Sequence, residues 1–270
     1  MSRRHIRNIL LKEWALLFTD LNSAFVIALL PFLIVGQAIL YIWLAFRFAG
    51  ESMLTAQVFQ TALQKLVEAI PGVAQLPGNE QLIVLLLSQV NFFLLLIPTM
   101  IAMSVATFSI VDEKLSGSLE ALLATPVRTW ELLLGKALAG AIPALVMTWI
   151  SAGVVLLVVS RLGWGDLIGF VTTAGWFLTL FILTPAVAIL SFMLGVAGSS
   201  RAKDARSAQT VALLIIFPVF ALIGIQITGI VWFTPLLIFM LALAIGIADF
   251  VALWAAVRLF QRESIVIQWR

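Results

Sequence analysis

Long apolar stretches dominate the hydrophobic pattern of this chain of 270 residues. Each is long enough to cross the hydrocarbon core of a bilayer, which takes about 20 apolar residues in a helix. None has the alternating pattern of a barrel strand, and a helix satisfies every backbone amide within its own segment. The sequence therefore predicts an all-α polytopic membrane protein with six transmembrane helices, in residues 23–46, 84–110, 132–160, 168–197, 208–228 and 234–257.

Positive charges are gathered in short segments between these runs. Thirteen of the sixteen Lys and Arg residues lie in the N-terminal stretch, in residues 112–136, in residues 199–207 and near the C-terminal end. Short cytoplasmic loops collect positive charge, so these four segments are expected on the cytoplasmic side. Arg47, Lys65 and Arg161 would lie on the other side. We therefore expect a multi-pass protein of the cytoplasmic membrane with both termini in the cytoplasm.

Composition supports the membrane interpretation. Hydrophobic residues make up 63% of the chain and charged residues 11%, whereas soluble domains have about 45–50% apolar and about 25% charged residues. The net charge of +3 arises in the predicted cytoplasmic loops, so it favours contact with membrane lipids and not with nucleic acid. The absence of cysteine excludes disulfides, thiolate nucleophiles and cysteine-based metal sites.

The first twenty residues have the pattern of an amphipathic helix. Five apolar side chains share one helical face, and four charged side chains lie toward the other sides. The apolar set is Ile6, Ile9, Leu10, Trp14 and Leu17, and the charged set is Arg3, Arg7, Lys12 and Glu13. This pattern predicts a helix in residues 1–20 that lies in the headgroup plane. A simple positively charged start to the first span is the alternative.

Residues 47–83 form the one sizeable connection expected on the outer side. A short helix is expected from Ser52 to Ile70, followed by turn signals at Pro71-Gly72 and Pro77-Gly78. The segment either caps the outer mouth or simply connects two spans. A proline lies in or at the start of every predicted span, where it can kink a helix. These prolines are Pro31, Pro98, Pro143, Pro185, Pro218 and Pro235.

The stretch from residue 112 to residue 136 is a second amphipathic element on the predicted cytoplasmic side. Its leucines form one apolar ridge, its charged residues face outward, and Thr125-Pro126 ends it. The ridge is suited to docking on the membrane or on a protein. A helix that merely links two spans is the alternative.

The same stretch resembles the signature of ABC-2 permeases, a class of ATP-binding-cassette transporter subunits. That signature reads E-[KR]-x-x-G-[ST]-L-E-x-L-L-x-T-P, followed after a short gap by L-x-G-K. The chain has Glu113-Lys114, Gly117-Ser118-Leu119-Glu120, Leu123-Ala124-Thr125-Pro126 and Leu133-Leu134-Gly135-Lys136 in this order. The similarity extends over essentially the whole chain, so residues 1–270 are interpreted as a single permease domain.

The resemblance implies a permease that works with a second permease copy, identical or related, and with two cytoplasmic ATPase subunits. It also implies that residues 112–130 contain the coupling helix that meets the ATPase. The residues carried over to that role are Glu113, Gly117, Leu119, Glu120 and Pro126. We expect the two glutamates to pair with basic residues of the ATPase, because a partly buried carboxylate without a partner is costly.

The chain has no Walker A sequence, G-x-x-x-x-G-K-[ST], whose backbone amides and lysine hold nucleotide phosphates. The partner ATPase is therefore expected to bind ATP and Mg²⁺, while this chain binds no cofactor and has no catalytic site. The family resemblance implies an exporter that works by alternating access. Mostly apolar spans favour an amphipathic, lipid-like or drug-like substrate.

Two other function classes stay open. A membrane-embedded enzyme has little support, since His5 is the single histidine and paired intramembrane carboxylates are missing. A channel or an ion-coupled transporter would use Asp249, the sole acid well inside a span, although a structural ion pair is an equal alternative. Uncharged polar residues in the spans either line a path or bond neighbouring helices. The candidates for the translocation path are Asn91, Thr99, Gln226 and Asp249.

Overall fold

A computed structural model describes residues 2–19, 21–115, 128–201 and 205–259. Within these ranges the chain is helical and has no β-strand, which confirms the predicted all-α class. The α-helices are α1 Ser2–Thr19, α2 Leu21–Thr55, α3 Gln57–Ala69, α4 Gly78–Phe93, α5 Leu96–Leu115, α6 Thr129–Val159, α7 Ile168–Val171, α8 Ala174–Leu178, α9 Thr184–Arg201, α10 Ala205–Ile227 and α11 Pro235–Leu259.

Five helical segments of the described ranges are long and apolar enough to cross a membrane. They are Ile27–Gly50, Gly78–Thr107, Thr129–Val171, Ala174–Ala197 and Pro235–Arg258. α10 covers most of the remaining predicted run, residues 208–228, but is not among these five segments. The protein is therefore a multi-pass membrane protein, whereas the count of six spans stays a prediction.

The second span is almost completely buried in the bundle and is broken near its middle. α4 and α5 are separated at Leu94 and Leu95. Pro98, in the first turn of α5, lacks a backbone N–H, and its ring would clash with the carbonyl of Leu94 in a continuous helix. Nearly all apolar side chains from Leu82 to Ile101 are buried, as expected for a helix that is hydrophobic all round.

Prolines disturb only some of the spans. A π-helical turn, Thr179–Leu183, joins α8 to α9 directly before Pro185. Such widened turns are a recognised cause of helix bending. Other prolines lie inside continuous helices, namely Pro31, Pro143 and Pro218. A proline in these spans therefore does not by itself predict where the helix breaks.

α3 packs across one end of the bundle, which we call the α3 end. The helix predicted over residues 52–70 is divided, because α2 and α3 are separated by the extended residue Ala56. Ala62 and Leu66 of α3 are completely buried. Gly229 has a φ of +70°, and a Cβ built on it would lie 2.7 Å from the backbone nitrogen of Ala62. α3 is therefore packed closely against the bundle, whereas a cap on an outer mouth stays a prediction.

Large apolar side chains are exposed along much of α2 and α11. On α11 they include Leu236, Phe239, Leu243, Ile247, Phe250 and Trp254. Soluble monomers rarely expose a continuous apolar surface of this kind. The surface is suited to contact with lipid chains or with another apolar helix.

Candidate functional site

α1 lies along the first part of α6 and runs in the same direction. The paired residues are His5 with Glu131, Ile9 with Gly135, and Trp14 with Ala139. The indole N–H of Trp14 donates a hydrogen bond to the Ala139 carbonyl oxygen at 3.0 Å. A Cβ on Gly135 would lie 2.9 Å from Cγ2 of Ile9, so the absence of a side chain permits this approach. We call this end of the bundle the α1 end.

The predicted apolar face of α1 is the face that packs on protein. Leu17 is buried, and Ile6, Ile9, Leu10 and Trp14 are partly buried. A second set of apolar side chains on α1 is exposed: Leu11, Leu16 and Phe18. α1 is thus fixed by contacts with the bundle, and its orientation in the headgroup plane stays a prediction.

Lys136 of α6 and Glu13 of α1 form a buried ion pair. Lys136 Nζ lies 2.8 Å from Glu13 Oε1, and the two side chains are 1% and 6% exposed. Ser109 of α5 joins the pair: it accepts a hydrogen bond from Lys136 Nζ at 2.5 Å and donates one to Glu13 Oε2 at 3.0 Å. Burying two charges costs several kcal/mol per ion, and these close polar contacts offset that cost. We call the three residues the ion-pair cluster.

Glu13 corrects the prediction made from the helical pattern. The sequence placed it with the outward-facing charges of the first helix, whereas the structure buries it between α1, α5 and α6. Helical periodicity cannot identify the partner of a charge on another helix. The available signal was Lys136 itself, since a lysine within an apolar run is rarely buried without an acidic partner.

The ion-pair cluster connects both flanks of the segment that the sequence interprets as the coupling element. Ser109 precedes residues 112–130 and Lys136 follows them. Glu13 binds both side chains, so α1 is bonded to the helix that enters the segment and to the helix that leaves it.

The coupling residues themselves are mostly outside the described ranges. Gly117, Leu119, Glu120 and Pro126 lie in residues 116–127, which the structure does not describe. Glu113 belongs to the last turns of α5, and its side chain lies outside what the structure describes. Their contact with an ATPase stays a prediction.

A second polar contact holds the start of α6 against α1. The Glu131 carboxylate accepts a hydrogen bond from the backbone N–H of Arg128 at 3.3 Å, which caps the first turn of α6. His5 Nδ1 lies 3.3 Å from the same carboxylate oxygen of Glu131. Among the described residues, the buried charged side chains are Glu13, Glu131 and Lys136, and all lie at the α1 end.

Two predicted path residues meet at the opposite end of the molecule. Asn91 of α4 and Gln226 of α10 both line a cavity of about 100 Å³ at the α3 end. Both are almost fully buried, at 8% and 4% exposed. Neither amide carbonyl oxygen has a hydrogen-bond partner among the described residues. We call this space the amide cavity.

The other two path candidates lie away from the amide cavity. Thr99 is buried in α5 and donates its hydroxyl hydrogen to the Leu95 carbonyl oxygen at 2.7 Å. Asp249 is partly buried on α11, about three turns beyond Ile238, which lines the cavity. That separation is about 16 Å along a helix. The structure thus brings together Asn91 and Gln226 but not Thr99 or Asp249.

Within the described ranges, no group of three His, Asp or Glu side chains is placed to hold a metal ion. The buried polar side chains described above form two distinct arrangements. One is a set of paired charges between helices, and the other is a pair of uncharged amides that line the amide cavity.

The architecture agrees with a comparison against families of known proteins. A search of curated proteins and a search of solved structures each find no significant match. The model of the ABC-2 family transporter proteins, in contrast, matches residues 7–240, which include most of α1, the ion-pair cluster and the amide cavity. Because that match covers most of the 270 residues, the chain belongs to the ABC-2 transporter family and is a transmembrane transport permease.

Proposed function

We propose that this chain is the membrane subunit of an ATP-driven exporter in the cytoplasmic membrane. Two permease copies, identical or related, would assemble with two cytoplasmic ATPase subunits, which bind ATP and Mg²⁺. The substrate would be amphipathic, lipid-like or drug-like. Membership of the family supports the assignment to transport. Permeases of this family typically have no ATPase of their own, so the ATPase is expected as a separate subunit.

The ion-pair cluster supports a coupling role for the predicted cytoplasmic segment. Ser109 and Lys136 flank that segment, and Glu13 bonds both of them. A push from the ATPase on residues 112–130 would therefore move α5 and α6 together with α1. Such concerted movement of packed helices is what alternating access between two permease copies requires.

The first experiment asks for the ATPase. The chain is purified from its native membrane in mild detergent, and the preparation is tested for a co-purifying ATPase with ATP-hydrolysing activity. The proposal expects such a subunit in about one copy per permease. A pure permease preparation with no ATPase, obtained under conditions that keep other membrane complexes intact, would contradict it.

The second experiment tests the coupling residues in the purified complex. Reversing both charges, Glu113→Lys with Glu120→Lys, should leave the permease folded and lower substrate-stimulated ATP hydrolysis at least tenfold, because the basic partners would face like charges. Glu68→Lys is the matched control, since Glu68 is an exposed acid at the α3 end. Normal coupling in the double variant would refute the assignment of these two glutamates.

An ion-coupled transporter is the second candidate function, and the environment of Asp249 supports it. Oδ1 of Asp249 is buried and has no hydrogen-bond partner among the described residues, as expected of a carboxyl that binds a cation or a proton. Reconstituted permease without any ATPase would then transport substrate along an imposed ion gradient, and Asp249→Asn would abolish that transport. Transport that requires ATP and is unchanged in Asp249→Asn would exclude this candidate.

A further inference from the structure

We propose that the amide cavity binds the small, uncharged, hydroxylated head of an amphipathic molecule. The proposal rests on the proposed transport function in so far as this molecule is the exported substrate. The binding site itself depends only on the residues that line the cavity.

Two amide side chains at the cavity have carbonyl oxygens that lack a hydrogen-bond partner among the described residues. Asn91 and Gln226 come from different helices and both line the cavity, and the carbonyl oxygen of each is buried without a partner among the described residues. Buried polar groups in proteins are almost always hydrogen-bonded, so each unsatisfied group calls for an explanation. A hydroxyl group both donates and accepts hydrogen bonds, so a ligand with neighbouring hydroxyl groups would be a suitable partner for two amide side chains on one cavity.

The walls of the cavity determine the charge of the ligand. No Lys, Arg, His, Asp or Glu is among the described residues that line it. Moving an ionised group from water into such a site without a countercharge is strongly unfavourable. The part of the ligand that enters is therefore neutral, which excludes a phosphate, a carboxylate and an ammonium group.

Four of the residues that line the cavity are aromatic. The rings of Phe92 and Phe233 pack with their centroids 5.0 Å apart, and Trp176 and Trp232 also line the cavity. Flat ring faces suit the C–H surfaces of a polyol or a sugar, while the amides suit its hydroxyl groups. Asn91 and Gln226 together with these rings therefore match a group that is polar at some atoms and apolar at others.

Size and position narrow the choice further. A volume of about 100 Å³ is roughly the space of three water molecules in the liquid, so it holds a glycerol-sized unit and not a whole drug-like molecule. Thr234 and Pro235 on its lining are exposed, so the cavity opens beside the loop between α10 and α11. An apolar tail attached to the bound head would remain outside, along the apolar helix surfaces.

Photolabelling of the purified permease in phosphatidylcholine nanodiscs tests the site without any ATPase. The probe is a monoacylglycerol with a diazirine on the acyl carbon nearest the glycerol ester. Its comparison compound is the methyl ester of the same photoreactive fatty acid, which has no hydroxyl group. We expect the monoacylglycerol to label peptides of the cavity lining saturably, whereas the methyl ester labels only lipid-facing helices such as α11.

Substitutions then connect the labelling to the two amides. Asn91→Leu and Gln226→Met should each raise the half-saturating probe concentration about fivefold, the effect of one lost hydrogen bond, and the double variant should raise it about 25-fold. Gln89→Met is the matched control. Gln89 is a neighbouring amide on α4, is 2% exposed and also has an unpartnered carbonyl oxygen, but it does not line the cavity.

The outcomes separate this proposal from the proposed function. Equal labelling by both probes, or an equal loss in the Gln89 variant, would overturn the site and leave the ATPase experiments unaffected. Either of the two amide positions is sufficient to decide, so a variant that fails to fold does not prevent the test. Saturable labelling without a co-purifying ATPase would support the binding site and argue against the exporter.

Discussion

The two ends of the molecule treat buried polar groups in opposite ways. At the α1 end, Lys136 and Glu13 are buried as charges and contact each other and Ser109 within hydrogen-bond distance. At the α3 end, Asn91 and Gln226 are buried as neutral amides that line a cavity, and their carbonyl oxygens have no hydrogen-bond partner among the described residues. The charged groups at the α1 end find their partners within the chain, whereas the amide oxygens at the α3 end would need a bound ligand as their partner.

This difference distinguishes polar groups that stabilise the fold from polar groups that are suited to bind a ligand. Removing one member of a satisfied ion pair leaves an uncompensated charge and weakens the fold. Removing an unsatisfied amide takes away an uncompensated polar group, so it lowers ligand affinity while leaving the fold as stable or making it more stable. The same kind of substitution should therefore change stability at the α1 end and binding at the α3 end.

The largest expected effect is at the ion-pair cluster. Lys136→Met leaves the Glu13 carboxylate buried without its cation, which we expect to lower the free energy of unfolding by about 3–5 kcal/mol. The midpoint of thermal unfolding in detergent measures the loss. Lys65→Met is the control, because Lys65 and Glu68 form an exposed pair with side chains 46% and 68% exposed, worth about 0–1 kcal/mol.

Replacing both members of the pair sharpens the interpretation. Glu13→Leu combined with Lys136→Met removes both buried charges and should restore most of the stability lost in the single variant. The same double variant should fail to transmit ATP hydrolysis to transport if the charges themselves are needed for coupling. A double variant that is no more stable than Lys136→Met would show that packing, and not the unpaired charge, caused the loss.

The next largest effect is expected where α3 packs on the bundle. Gly229→Ala places a Cβ at a φ of +70° and 2.7 Å from the Ala62 backbone nitrogen, where the conformational strain alone costs about 1–3 kcal/mol. Limited proteolysis should then cleave more rapidly at the ends of α3. Gly246→Ala is the control, since a Cβ there meets nothing within 4 Å; equal proteolysis of the two variants would contradict the expected strain.

The smallest effect is expected where α1 approaches α6. Gly135→Ala brings a Cβ to 2.9 Å from Ile9 Cγ2, an overpacked contact that we expect to cost about 1–2 kcal/mol. Gly153→Ala, in the same helix but with nothing within 4 Å, should instead stabilise the permease by up to about 1 kcal/mol. Shifts of the unfolding midpoint in the same direction for both variants would contradict the close α1–α6 contact.

The sequence predicted the features that depend on composition and local pattern. Apolar runs of sufficient length predicted the five segments that can span a membrane, because length and hydropathy decide whether a helix can cross a bilayer, and the sixth span stays a prediction. The turn at Pro71-Gly72 was also predictable, and Gly72 has a φ of +88°. The motif over residues 113–136 identified the family that the comparison then confirmed.

Contacts between distant segments were decided only by the tertiary structure. Ser109 and Lys136 are separated from Glu13 by 96 and 123 residues, and no helical period relates them. Likewise, the sequence did not distinguish Asn91 and Gln226 from other polar residues of the spans. The packing of α4, α10 and the α10–α11 loop places both of them on one cavity. Local hydropathy determines which segments enter the membrane, whereas the partner of a buried charge or amide depends on which helix faces become neighbours.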